Sequence, residues 1–478
     1  MDDPPAPAPD APPTIYPLSD LDQGGHNRTV RAFIFYSLPS TLSAAALTSS
    51  LTAGLQNTIA HLPFLAGTFE RSENNRLHIT TSPTRLSLPL HTHDFPASTL
   101  PPLSALAAQR FTLSALPLTS YLPADPPPST EVCALQATFI PGGLVLAVRI
   151  SHAAADFTSL NTFLTLLCAS TRAAAERRPM PTHTPDLDRT PYNAPLDPPP
   201  REALLAALPL FHVISKPPLS SSGDAPPTPA APRPRMQTHL YTLRQHTLTA
   251  LKARVAPHLP PSTPFVSSYD LLAALLWAGI TRARLSVHPD RRTAPTRLVH
   301  PVDVRRRGGR TAYFGNAVVG AQAGPAEAAW VASALDADPD DGGVHLARLA
   351  ALVRASTAAT DARIAQALAA LLAGLDEGET YAPRADFAET DLFVNSWAAG
   401  DYELGGGARA VALRPGGLGG GGASVLVLRG RGEEGGEGGE RSWEVLVQLE
   451  EVEHEALRTD GVFMGWFGGR EGLGWGGG

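Results

Sequence analysis

The sequence predicts an α/β protein of two similar domains, each a mixed β-sheet with flanking helices. Three observations predict it. The chain has 478 residues, too many for one ordinary domain and suited to two of about 200 residues each. Both halves alternate strand-like apolar runs with stretches of 3.6-residue periodicity. Near the middle, residues 216–234 are Pro, Ser and Ala with almost nothing large, so no packed core can form there. The expected division is a disordered tail at 1–14, a first domain at 15–215, a Pro-rich crossover at 216–235 and a second domain at 236–478.

The elements follow in order. Residues 29–36 read as a strand. Ser40 or Thr41 can cap a helix to about Ala60, with Leu42, Ala45, Ala46, Leu51, Leu55 and Ile59 facing inward. Residues 77–81 and 85–88 are short strands, and the Pro-rich stretch 95–130 resists assignment. Residues 132–140 form a strand, Pro141, Gly142 and Gly143 a turn, and 144–150 a second strand, apolar enough to be buried on both faces. His152 follows it directly and Asp156 comes four residues later. The 3.6 period then starts with Phe157, Leu160, Phe163, Leu164 and Leu167.

In the second half, residues 236–243 are a strand and 246–256 a helix. Ser267 to Asp270 caps an apolar helix over 271–284 containing Trp277. Residues 298–305 form a strand running into Arg306, Arg307 and two glycines. Ala-rich helices follow at about 326–337 and 344–375. A strand ends in Asn395-Ser396-Trp397, and strands at 423–429 and 442–449 flank a Gly/Glu loop at 430–440. The last helix, 450–459, has Leu449, Val452 and Leu457 as its apolar face, and the tail from Gly465 is frayed.

Composition narrows the partners. A net charge of −7 argues against nucleic acid or an anionic membrane. Cys133 and Cys168 fall in a predicted strand and helix and read as buried free thiols. No apolar run approaches the ~20 residues of a membrane span. Met1 to Pro13 lacks a basic and an apolar signal region, so a cytoplasmic protein is expected; a monomer is expected as well. His91, His93 and Asp94 offer no third ligand on a defined element, so no metal is expected. The glycines at 416–422 follow no βαβ unit and read as loop, not a dinucleotide site.

An imidazole at the mouth of a buried strand suits a general base. The alternative is a hydrogen-bonded histidine closing the strand, with Asp156 as a helix N-cap. Ile-Pro-Gly-Gly-Leu, strand, then Ser-His-Ala-Ala-Ala-Asp resembles the first motif of the BAHD acyltransferase superfamily. It is most similar to the fungal branch that includes trichothecene 3-O-acetyltransferase. Three further segments match in order: Leu18-Ser19-Asp20-Leu21-Asp22; Val302-Asp303-Val304-Arg305-Arg306-Arg307 with Tyr313-Phe314-Gly315-Asn316; and Asn395-Ser396-Trp397.

The resemblance implies two chloramphenicol-acetyltransferase-like domains with the active-site channel between them. It implies acyl-coenzyme A, most often acetyl-coenzyme A, as co-substrate, and no tightly bound cofactor. The acceptor is a hydroxyl or amine of a small secondary metabolite. His152 is the base and Asp156 an orienting carboxylate paired with Arg305 or Arg307. Trp397 and Ser396 are candidate oxyanion donors. Without the resemblance, Trp397 reads equally as a core indole, and residues 305–310 as a solvated basic turn or a phosphate contact.

The sequence also departs from the family. Phe157 stands where the family has Gly after the motif Asp. The family's Asp-Phe-Gly-Trp-Gly aligns with Glu403-Leu404-Gly405-Gly406-Gly407, without either aromatic. The rival expectations are a non-catalytic binder of the same fold and a condensation-type domain. Ser151 precedes His152 where the latter usually carries a second histidine.

Overall fold

The structure is a computed structural model and describes residues 12–25, 28–82, 87–94, 99–123, 130–215, 234–336, 343–398, 400–419, 422–430 and 442–467. The expected crossover and Gly/Glu loop lie mostly outside these residues. So do most of the N-terminal tail, the first half of the strand expected at 85–88 and the C-terminal glycines from 468.

Two large sheets carry the molecule. The first has five strands in the order Arg409–Pro415, Thr29–Ser37, Gly143–Ser151, Cys133–Ile140 and Leu90–Asp94. Its central hairpin is the one the sequence predicts. Every residue of Cys133–Ile140 and Gly143–Ser151 is buried. The turn works because Gly142 sits at φ 78°, a conformation open to glycine without strain. Strand Gly143–Ser151 pairs antiparallel with Thr29–Ser37, register Thr29↔Ser151, so the end carrying His152 is fixed on both sides.

The second sheet has six strands in the order Val318–Glu327, Pro295–Asp303, Leu392–Trp397, Ser424–Arg429, Ser442–Glu450 and Met236–Arg244. It packs on the apolar helix Ser268–Val287, whose capping box joins Ser267 and Asp270. Strand Arg409–Pro415 comes from the second half of the chain but pairs with Thr29–Ser37 in the first sheet. The two sheets therefore exchange chain, and the segment 236–478 does not form a unit alone.

The Leu404-to-Gly407 segment shows how that exchange is made without the family's aromatics. Gly405, Gly406 and Gly407 have φ of 82°, 62° and 84°, so the chain turns where a side chain would be strained. Leu404 and Tyr402 are fully buried in the first core. The turn rests against the C-terminal part of the helix Phe157–Ala175, with Arg172 backbone 3.1 Å from where a Gly405 Cβ would stand.

Several expectations need correction. The first long helix is Ala44–His61, capped by Ser43 rather than Ser40 or Thr41, because only Ser43 reaches a free helix N–H, that of Ala46. Ser87 and Leu88 are not strand; the edge strand is Leu90–Asp94. The region 326–375 holds Ala328–Ser333, Val344–Ala359 and Ala362–Ala373. Asp361 starts the last as an N-cap to Arg363 and Ile364, which breaks the long helix expected there. Val452 is 54% exposed, so the apolar face of Glu451–Thr459 runs through Leu457 and His454 instead. Gly465 to Phe467 belong to a helix, Gly461–Phe467, held by buried Phe463 and Phe467. Among the described residues no helix is long and apolar enough to cross a membrane.

Candidate active site

The site assembles where the two sheets meet. Strand Gly143–Ser151 ends and the chain makes a tight turn over Ala153, Ala154 and Ala155, all fully buried. Asp156 then caps the helix Phe157–Ala175, its Oδ1 accepting from Ser159 N at 3.0 Å. Both readings of Asp156 in the sequence are therefore realised together: it is an N-cap and it is paired.

Its partner is Arg305. The Nη2 of Arg305 lies 2.9 Å from Asp156 Oδ1 and 2.8 Å from Oδ2. Ala317 N donates to Oδ2 at 3.0 Å. Arg305 also donates to the carbonyls of Tyr313 and Gly315 and to Asp303 Oδ2. Arg307 is used elsewhere, donating to the Thr360 carbonyl. Asp156 therefore points away from His152 and ties the turn to the 303–317 segment. Thr158 closes the same seam, donating to Asp303 Oδ2 at 2.7 Å.

His152 is half-buried. Its N–H of the backbone donates to the Arg28 carbonyl at 2.7 Å, and its Nδ1 lies 3.1 Å from Asn316 Oδ1. Neighbouring atoms assign the tautomer. Asn316 Nδ2 is 2.7 Å from the His152 carbonyl and 2.8 Å from Asp22 Oδ1. Both are acceptors, so the Asn316 atom between them must be the NH₂ group, and the atom facing the imidazole is oxygen. Nδ1 therefore carries the proton and Nε2 offers a lone pair. Nε2 has no hydrogen-bond partner among the described residues. Burial first, and then the Arg28 guanidinium, hold the imidazole below its ordinary pKa, so at neutral pH it is the free base.

Asn316 is held in turn. Its backbone N also donates to Asp22 Oδ1, at 3.1 Å, and Asp22 Oδ2 accepts from Arg189 Nη1 at 2.5 Å. Gly315 has to be glycine here: a Cβ would lie 2.4 Å from Tyr313 OH and 3.0 Å from Arg189 Nη1. Asp22 and Asn316 fall inside sequence motifs that assign neither a role, and Arg189 is not among the residues those motifs contain. Nothing local marks Arg189, which sits in a charged, Pro-rich stretch.

Trp397 lies face to face on Phe157, ring centroids 4.4 Å apart and planes within 7°. Phe157, the departure from the usual glycine, thus fills space against the indole next to Asp156. Trp397 Nε1 has no hydrogen bond among the described residues. Ser396 is not brought to the same place. Successive side chains in a strand point to opposite faces, and Ser396 is exposed where Trp397 is buried. Asn395, two residues before Trp397, shares its face. Among the described residues no group of three or more His, Cys, Asp or Glu side chains is arranged to hold a metal ion.

The sequence profile of the Transferase family matches residues 6–335. The chain is 31% identical over 191 residues to trichothecene 3-O-acetyltransferase TRI101 of Fusarium sporotrichioides, covering 38% of this chain and 36% of that protein. It is 27% identical over 284 residues to the O-acetyltransferase dmxR13 of a Cryptosporiopsis species, covering 56% and 59%. The matched segments thus span about a third and somewhat over half of these relatives. In fold, TRI101 of F. graminearum complexed with ethyl coenzyme A superposes with a TM-score of 0.74 at 19% identity, covering 95% of this chain and 99% of that one. Vinorine synthase superposes with a TM-score of 0.57 at 19% identity, covering 94% and 93%.

Proposed function

The chain belongs to the Transferase family, the BAHD superfamily of its sequence motifs, and from that premise we propose that it is an acyl-coenzyme A-dependent acyltransferase. It moves an acyl group, acetyl by preference, to a hydroxyl or amine of a small secondary metabolite. The similar proteins are named as acetyltransferases, and solved relatives carry coenzyme A, ethyl coenzyme A, T-2 toxin or deoxynivalenol. The observation that carries the proposal is the imidazole of His152, with Nδ1 committed to Asn316 and Nε2 left with a lone pair.

The chemistry follows from that lone pair. An alcohol or amine attacks a thioester slowly until its proton has somewhere to go. Nε2 takes that proton as the acceptor's oxygen or nitrogen bonds to the carbonyl carbon. The carbonyl becomes an oxyanion and needs a fixed donor, and the indole N–H of Trp397 is the one proposed. When the intermediate collapses, the carbon–sulfur bond breaks and Nε2–H returns its proton to the leaving thiolate. Asp156 and Arg305 take no part in these transfers. They hold the turn that carries the base.

The test is direct. The protein is incubated with acetyl-coenzyme A and a panel of hydroxylated and amine acceptors, and free thiol is followed. Acceptor-dependent thiol release that disappears in His152→Ala supports acyl transfer. No release with any acceptor, or equal release in the variant, refutes it.

A further inference from the structure

Five donors converge on one buried carboxylate behind the base. Asp22 has no exposed surface. Its Oδ1 accepts from Asn316 N at 3.1 Å and Asn316 Nδ2 at 2.8 Å. Its Oδ2 accepts from Ser19 N at 2.9 Å, Ser19 Oγ at 2.6 Å and Arg189 Nη1 at 2.5 Å. Arg189 is itself buried, and its Nη2 donates at 3.2 Å to the carbonyl of Ala154, inside the turn between His152 and Asp156. The groups come from four separated parts of the chain, residues 19–22, 152–154, 189 and 316.

We infer that Asp22 and Arg189 are positioning residues that fix the tautomer of the catalytic imidazole through Asn316. This rests on the acyl-transfer reading of the site. An isolated asparagine can present either its oxygen or its NH₂ to a neighbouring imidazole, and the two choices select opposite tautomers. Facing Nδ1 with oxygen puts the proton on Nδ1 and leaves Nε2 basic. Facing it with NH₂ puts the proton on Nε2, where it cannot accept another. Asp22, beside the His152 carbonyl, removes the choice, because a carboxylate oxygen taking two Asn316 donors accepts and does not donate. The Asn316 NH₂ must turn toward it, and the Asn316 oxygen must turn toward His152. Arg189 balances the buried charge and fixes the carboxylate against rotation. It also grips the turn, so base and orienting group are referred to one rigid centre.

Asp22→Asn is the decisive variant, since it changes no volume. Its amide must set NH₂ against either the two Asn316 donors or the Ser19 and Arg189 donors. In the first case Asn316 flips and the imidazole is driven to the Nε2–H form. The readout is ¹⁵N-histidine NMR of the ring nitrogens, with His152 assigned by the signal lost in His152→Gln, together with kcat and KM. The expected wild type is the Nδ1–H tautomer. In Asp22→Asn the Nε2–H form should grow. Acyl transfer should fall about 10²-fold or more in kcat, the worth of a general base, with KM for acetyl-coenzyme A unchanged. Arg189→Lys, which keeps the cation, should restore much of what Arg189→Met loses.

A folded Asp22→Asn protein that keeps the Nδ1–H form and kcat within threefold overturns the inference. If that variant does not fold, the wild-type spectrum decides: Nε2–H there overturns it and Nδ1–H supports it. A tautomer that responds to Asp22→Asn in a protein that acylates nothing supports the positioning and sinks the acyl-transfer reading instead.

Discussion

Replacing Asp156 by Asn separates a structural carboxylate from a chemical one. Asn is as good a helix N-cap as Asp, so Ser159 N keeps its acceptor when the amide oxygen faces it. The amide NH₂ then faces Ala317 N and Arg305 Nη2, both donors. Removing one partner of a buried ion pair costs about 3–5 kcal/mol. Arg305 keeps Asp303, whose side chain is 34% exposed, so the lower figure applies, about 3 kcal/mol. The orphaned Ala317 N–H adds about 1 kcal/mol. The sum, about 4 kcal/mol, is a large share of the roughly 5–15 kcal/mol by which folded proteins are stable. The assay is urea unfolding of the wild type, Asp156→Asn, Arg305→Gln and the double variant, with kcat measured where each is folded. The midpoint should fall sharply in both single variants. The double variant should lose much less than their sum. In folded Asp156→Asn, kcat should fall by less than about tenfold, since the proton-transfer group is intact. An unchanged midpoint with a kcat loss beyond a hundredfold would refute this, because the carboxylate would then act on the reaction itself.

Three other outcomes are expected. Trp397→Phe keeps the stack on Phe157 and removes only the N–H, so kcat should fall about 10²-fold at constant KM; full activity would move the oxyanion donor elsewhere, Asn395 being on the same face. The acid limb of kcat/KM should lie below His152's ordinary value of 6.5, because burial first and Arg28 second disfavour the protonated ring. The rate falls as pH drops through that pKa, and Arg28→Gln should move the limb upward; a limb above 6.5 in the wild type contradicts the site's electrostatics. Gly54→Ala gains about 1 kcal/mol of helix propensity, but its Cβ would lie 2.6 Å from Thr171 N and 2.8 Å from Thr171 Cα on the facing helix. Overpacking of about 1–3 kcal/mol against backbone should win, giving a net loss in thermal melting, where a gain would show that the two helices separate freely.

The local parts of the site were legible because local rules make them. Pro141, Gly142 and Gly143 dictate a turn, the apolar run after them dictates a buried strand, and a carboxylate before a periodic stretch dictates a cap. Those three facts place His152 at a strand end and Asp156 at a helix start without any knowledge of the rest. The motif resemblance narrowed Asp156's partner to two arginines. It could not choose between them, because Arg305 and Arg307 differ only in which way the turn aims them. The same limit undid Ser396. Adjacent strand residues face apart, and it is the Phe393, Asn395 and Trp397 face, not the Leu392, Val394 and Ser396 face, that brings the indole onto Phe157.

What the sequence by itself determined is therefore the α/β class, the central hairpin, the capped helix and the place of His152, the proposed base, at the strand end. Folding in three dimensions decided which residues surround that base. Asp22, Arg189 and Asn316 lie as far as 294 residues apart and meet where the two halves are joined, by the Asp156–Arg305 pair and by strand Arg409–Pro415 crossing into the first sheet. Periodicity and turn chemistry act over a few residues. Convergence of five donors on one carboxylate depends on how two sheets pack, and no short stretch of sequence carries that information.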